Sequence, residues 1–206
     1  MGLFDFLFGG GPPRANVAPD QVWLTLDAKL RGIQRAVDEL LESQPQAVVL
    51  LVAHFPDMQE QLQQTATSME QATSRVTVML ATELNSHLAR SFDADNTSVE
   101  VIVGERHPLP AADDAVLSFA AEAPMPCRVT HHVSVEDPLM RAFAGEWVAS
   151  LLQRLGMTAD EAIEGEMIGR RIRQVQKKIA KTARGDSPAY SALEWLQLNC
   201  PAFAKS

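Results

Sequence analysis

Residues Ala47–Ala53 read AVVLLVA, seven apolar residues with no charge among them. So short and uniform a run has no polar face to turn toward water. It reads as a strand covered on both sides, as in a parallel sheet held between helices. Three more runs repeat the theme: residues 75–81 (RVTVMLA), 99–103 (VEVIV) and 127–134 (CRVTHHVS). Helical patterns lie between them. One opens at Asp20 and carries the stripe Leu26, Leu30, Ile33, Val37 and Leu40 to about Ser43. Others start at Pro56-Asp57 and run to about Thr67, then cover residues 84–92 and 113–122. Strands alternating with helices predict an α/β fold with a three-layer, mostly parallel sheet.

Beyond the fourth strand the periodicity turns helical. Leu139, Phe143, Trp147, Leu151 and Leu155 step by four, with Met140, Val148 and Leu152 beside them, and Gly156 is placed to end that helix. Thr158 to Glu161 fits a capping box, so a second helix is expected to start there, irregular around Gly165. Its seam is Ile168, Ile172, Val175 and Ile179. Arg170, Arg171, Arg173, Lys177, Lys178, Lys181 and Arg184 cover its other faces, either as a solvated surface or as a partner-docking surface. No aromatic residue is interleaved among them, which disfavours a stacking platform for nucleic acid. A third helix is expected from Ser187-Pro188 to about Asn199, folded back so that Tyr190, Leu193, Trp195, Leu196 and Leu198 are covered.

The first ten residues place Leu3, Phe4, Phe6, Leu7 and Phe8 within six positions. The stretch is short, contains Asp5 and lacks a basic start, so it does not read as a signal peptide, and Phe6 stands where a myristoylation motif needs Ser or Thr. It is either a small anchor that inserts aromatics into a membrane surface or a segment that packs on the body or frays. Residues 9–19, rich in Gly and Pro, read as a linker. A formal net charge of −8 argues against a general polyanion-binding role and leaves room for a local basic face. Cys127 and Cys200 are too few for a disulfide framework and read as structural thiols of a reducing compartment.

Candidate chemistry is sparse. No Gly-x-x-x-x-Gly-Lys-Ser/Thr phosphate loop occurs, and Gly9-Gly10-Gly11 runs into prolines. His131 and His132 are adjacent on a strand and point to opposite faces, one expected inside and one facing solvent. His54, His87 and His107 have no ligand spacing, so neither metal nor cofactor is expected. Arg106 and His107, just past a strand end, either contact a nucleotide or hydrogen-bond within their loop, Arg106 with Asp113 or Asp114. Glu136-Asp137-Pro138 is placed to cap the helix that follows.

Several of these residues carry a family resemblance. Ser134-Val135-Glu136-Asp137, Leu139-Met140-Arg141-x-Phe143, Arg154-Leu155-Gly156-Met157, Glu161-x-Ile163-Glu164 and Gln176-Lys177-Lys178 occur in the order found in SecA, the bacterial preprotein-translocase motor. There the region joins the second nucleotide-binding domain to the helical scaffold. Gly104-Glu105-Arg106-His107 is similar to the family's Gly-Thr-Glu-Arg-His. Asp20-x-Val22-Trp23-x-Thr25, Ala28-Lys29 and residues 44–52 are similar to the helix and first buried strand of the same half. The family's other parts find no counterpart in these residues.

The resemblance implies a shortened, degenerate SecA-like protein: residues 1–19 an apolar segment and linker, 20–136 a RecA-like α/β domain, 137–206 a helical scaffold-like appendage. Counting without a gap from Glu105 to Glu136, the family's arginine positions fall on Leu117, Phe119 and Glu122. A second arginine-bearing turn is unrecognisable around residues 82–86. Losing those cations removes the charge stabilisation that phosphoryl transfer depends on, so no ATP hydrolysis and no catalytic residue are expected. The implied role is binding or scaffolding in protein export, in the cytoplasm or peripherally at the inner membrane, with a translocase component or a second copy as partner and no nucleic acid. The alternatives are a nucleotide-binding subunit completing another chain's site and a membrane-surface adaptor unrelated to export.

Overall fold

A computed structural model describes residues 15–69, 74–144, 158, 161–164 and 166–201. The expectations placed on residues 3–8, and on Trp147, Leu151, Leu155 and Gly156, lie outside the described residues. Among the described residues seven strands form one sheet: β1 (Asn16–Val17), β2 (Gln21–Trp23), β3 (Ala47–Ala53), β4 (Val76–Leu80), β5 (Ser98–Val103), β6 (Cys127–Ser134) and β7 (Ile163–Glu164). Their order is β4-β3-β5-β6-β2-β7, with β1 also lying along β6. Every pairing is parallel except β2 with β7. The helices are α1 (Leu26–Ser43), α2 (Pro56–Thr67), α3 (Ser86–Ser91), α4 (Pro110–Glu122), α5 (Pro138–Ala144), α6 (Glu166–Thr182) and α7 (Ala192–Asn199).

The uniform run of β3 is explained by its two faces. Val49, Leu51 and Ala53 pack with Ile33, Val37 and Leu41 of α1 and Met58 and Leu62 of α2. Leu50 and Val52 point the other way, into a core with Val116, Phe119 and Ala120 of α4. A period of two on a sheet covered on both sides makes every position apolar. The layered, mostly parallel sheet expected from the sequence is therefore present. A third core gathers α5, α6 and α7 over the carboxyl end of the sheet, where Ile172, Ile179, Trp195 and Leu196 meet Val22, Phe55 and Val133.

Several local readings are corrected. Asp20 does not begin a helix: Gln21–Trp23 is a strand on β6, and α1 starts at Leu26 behind Thr25, whose side chain accepts from the Ala28 amide. The stripe carried the helix signal, but the three residues before its cap find better backbone partners in the sheet. Asn16 and Val17, expected in the linker, pair with Arg128 and Val129. The capping box at Thr158 does not open a helix; Ile163 and Glu164 pair with β2, and α6 begins at Glu166. The last helix starts at Ala192 behind Ser191, four residues later than its Ser-Pro signal, and Tyr190, Leu193 and Leu198 remain exposed while Trp195 is buried. His132 does not face solvent, because both faces of β6 are covered. Glu136 accepts from the Leu26 amide at 2.7 Å and so caps α1, not its own following helix.

One glycine fixes a close approach in this layer. A Cβ on Gly32 would lie 2.1 Å from the Trp23 ring, so α1 rests directly on that indole. Trp23 in turn donates to His132 Nδ1 at 3.2 Å and lies 5.9 Å beneath the Arg35 guanidinium.

Candidate functional site at the carboxyl ends of the strands

The sheet sets the position of the site. From β3 the chain leaves through α2 to β4 on one side; from β5 it leaves through α4 to β6 on the other. The crevice beyond the carboxyl ends of β3 and β5 is where parallel α/β sheets bind ligands. The start of α2 faces it, and amides at a helix start favour an anion.

Here that place is filled from within. Oε1 of Glu105, just past β5, accepts the amides of His54 (3.1 Å) and Phe55 (3.0 Å), the two residues before α2. Pro56 has no N–H, and the Asp57 amide donates to the Tyr190 carbonyl at 3.1 Å. Glu105 is buried, and burial pushes its carboxyl up to about 8, with nearby Asp57 and Asp137 pushing the same way and Lys29 opposing. A mostly protonated carboxyl thus occupies the position of an anion.

The cations around it are already engaged. Lys29 of α1 is fully buried and donates through Nζ to Gly104 O (2.7 Å) and to Asp137 Oδ1 (2.8 Å) and Oδ2 (3.1 Å). Asp137 is held in turn by the Ser134 amide at 2.8 Å and its hydroxyl at 2.7 Å. Arg106 spans Asp20 and Asp113, the second at 3.0 Å.

Asp113 is the hub. It accepts the His107 amide (3.1 Å) and Gln176 Nε2 (2.8 Å), and His54 Nε2 sits 3.0 Å away, at ion-pair distance without hydrogen-bond geometry. Burial alone would raise its carboxyl, but the His54 contact and the Arg106 charge outweigh that and hold it well below the usual range. Asp20, with fewer partners, is raised by burial in spite of Arg106.

His107 stacks on Phe55 at 5.0 Å and meets Trp195 edge-on at 5.4 Å. Burial and the neighbouring His54 push it down to about 4, so it is neutral at pH 7. His131 lies in the same interior, pushed far down by burial, and neither ring nitrogen has a partner among the described residues.

Two helices close the crevice. Gln176 of α6 donates to His107 O at 2.7 Å as well as to Asp113, and Trp195 of α7 covers the His107 ring while donating to Asp186 at 2.8 Å. Gly169 lets α6 pass over Asp20, since a Cβ there would meet Asp20 Oδ2 at 3.0 Å. The space left beside Glu105, Arg106 and Ile172 is about 10 Å³, roughly what one water needs.

Sequence-derived candidates distribute unevenly. Arg106 and His107 are in this cluster, with Arg106 on Asp113; Asp114 pairs instead with Arg173, which also reaches Pro110 O at 3.0 Å. Arg170, Arg171, Lys177, Lys178 and Lys181 lie exposed on α6, away from it. Phe119 is in the core and Leu117 packs on it, while Glu122 is exposed. Residues 84–86 and Glu122 share an open cavity of about 660 Å³ between α3 and α4, so both stretches expected to lack arginine face the same space. Its lining includes one basic residue, Arg90. Among the described residues no group of three or more His, Cys, Asp or Glu is arranged to hold a metal, and no helix is long and apolar enough to cross a membrane.

Lys29, Asp20, His54 and Gln176 are not singled out as site residues by the sequence. Two had a signal. Lys29 lies three positions past Leu26 and four before Ile33, on the apolar stripe of α1, and Gln176 lies between Ile172 and Ile179 on the seam of α6. A polar residue at an apolar register marks a buried partner.

Comparison with known proteins gives the sequence context. No protein-family model matches the chain. It is 36% identical over 103 residues to the protein translocase subunit SecA of Koribacter versatilis, covering 47% of this chain and 10% of that protein. It is 40% identical over 79 residues to SecA of Acidobacterium capsulatum, 38% of this chain and 8% of that one. SecA of Methylococcus capsulatus is 32% identical over 114 residues, 54% of this chain and 13% of the relative. A crystal structure of the C-terminal part of the Fun30 ATPase domain overlaps 74% of this chain and 54% of its own at 8% identity and a TM-score of 0.41. The chain is thus SecA-like over about half its length, and it spans about a tenth of the length of the SecA subunits it matches.

Proposed function

We propose that this protein is a non-catalytic, SecA-like binding or scaffold protein of protein export, acting on a protein partner at the cytoplasmic face of the membrane. The observation that supports this reading is the filled strand-end crevice. Glu105 takes the amides at the start of α2, and Lys29 and Arg106 are bound by the chain's own carboxylates. A triphosphate entering there would have to displace a buried carboxyl and break the ion pairs of Lys29 with Asp137 and of Arg106 with Asp20 and Asp113, each with a large penalty for the charge left behind. The apolar and acidic residues at Leu117, Phe119 and Glu122 fit the same reading.

The partner proposed is a component of the translocase or a second copy of the chain. Titrating the protein with ADP and with ATP plus Mg²⁺ tests the first half of the proposal: no heat and no phosphate release are expected. The alternative, a nucleotide-binding subunit that completes another chain's site, would use the α3–α4 cavity. It predicts binding that is lost on Arg90→Ala.

A further inference from the structure

The outer face of α6 is a segregated cationic surface. Between Met167 and Gly185 the chain places seven of its 18 Lys and Arg and none of its 26 Asp and Glu. At 3.6 residues per turn, Arg170, Arg171, Lys177, Lys178 and Lys181 share one side of the helix, opposite the buried Ile172, Gln176 and Ile179. The stripe runs roughly 16 Å along the axis. Arg173, at its margin, reaches back to the body, to Asp114.

Helix chemistry alone does not account for this. A macrodipole favours cations in the last turn, which covers Lys181, but it disfavours Arg170 and Arg171 near the start. Lys177 and Lys181 are four apart, a repulsive pairing. The remainder of the chain is strongly acidic, since a net charge of −8 already includes these seven cations.

We propose that this stripe docks an acidic polypeptide segment carrying carboxylates at helical or extended spacing. The apolar side of α6 is committed to the α5–α7 core, so the helix has nothing to insert into a bilayer. A flat anionic surface would also bring the acidic body against like charge. A single acidic segment is narrow enough to follow the stripe alone. The proposal stands apart from the export reading and from the nucleotide question.

The test uses the full chain and fluorescence anisotropy with a labelled poly-Glu peptide, at low and at physiological salt. Parallel arms use a Gly-Ser peptide, phosphatidylcholine vesicles with and without phosphatidylglycerol, and a single-stranded oligo-dT. The variant is Lys177→Gln/Lys178→Gln/Lys181→Gln, all exposed, with Arg128→Gln, exposed on β6, as the control. Expected are binding of poly-Glu over Gly-Ser, weakening with salt, and a loss of about tenfold in the triple variant but not in the control. Circular dichroism should be unchanged. The proposal is overturned by no poly-Glu binding at low salt, by equal binding in the triple variant, or by phosphatidylglycerol vesicles or oligo-dT binding where the peptide does not.

Discussion

At the strand ends, Lys29 is buried and Arg106 mostly so, and each is held by carboxylates of the same chain. On the outer face of α6, Lys177, Lys178 and Lys181 are exposed, with Gln174 and not an acid among them. Both regions are rich in charge; the first has its charge answered from within, whereas among the described residues Lys177, Lys178 and Lys181 form no ion pair with a carboxylate. Buried cations without partners would be too costly to keep, so internal pairing there reports on folding. Exposed cations are cheap, so their segregation into one stripe reports on what the surface meets. A ligand that requires positive charge is therefore expected at the helix and not at the crevice.

The largest test of this contrast is Asp113→Ala. It removes one acceptor each from Arg106 and Gln176 and the acceptor of the His107 amide at once, and unfolding free energy in urea should fall by about 3–5 kcal/mol. A loss under about 1 kcal/mol would mean the cluster is wet and loosely paired. Next in size is Gly32→Ala. Its methyl group would strike the Trp23 ring, and a loss of about 1–3 kcal/mol is expected.

The crevice should also shape the pH profile. An unfolded Glu ionises near 4.5, and Glu105 stays protonated up to about 8. Its contribution is full below 4.5 and is lost as pH rises toward 8. His107 and His132 run the other way. They are lowered from 6.5 to about 4 and about 3, so their contribution is full above 6.5 and is lost as pH falls. Stability should peak at about pH 6.5. Glu105→Gln should flatten the alkaline side, its gain over the parent growing between about pH 5 and 8 in denaturant melts. A gap that stays constant over that range would mean that the carboxyl ionises as it does in water. The smallest effect belongs to the stripe: Lys177→Gln/Lys178→Gln/Lys181→Gln should change stability within about 0.5 kcal/mol per site.

The layered sheet was legible because burial on both faces leaves a short, uniform, valine-rich apolar run at Ala47–Ala53, whose length suits a strand better than a helix. The helix seams were legible for the same reason. What escaped was made by distant partners. Gln21–Trp23 is a strand because β6, more than a hundred residues later, offers its edge. Glu136 caps a helix 110 residues away, and no local pattern encodes that. In the candidate site, Arg106 and His107 stood out through their motif. Lys29 and Gln176 were hidden in apolar stripes, and their meaning appears only when α1 and α6 converge on the strand ends.

The central claim is that this chain's own carboxyl and ion pairs hold the place of a nucleotide. Isothermal titration of the full chain with ATP and Mg²⁺ tests it most directly. The account predicts no heat beyond dilution. Stoichiometric binding that weakens on Arg106→Ala in a variant still folded by circular dichroism would contradict it.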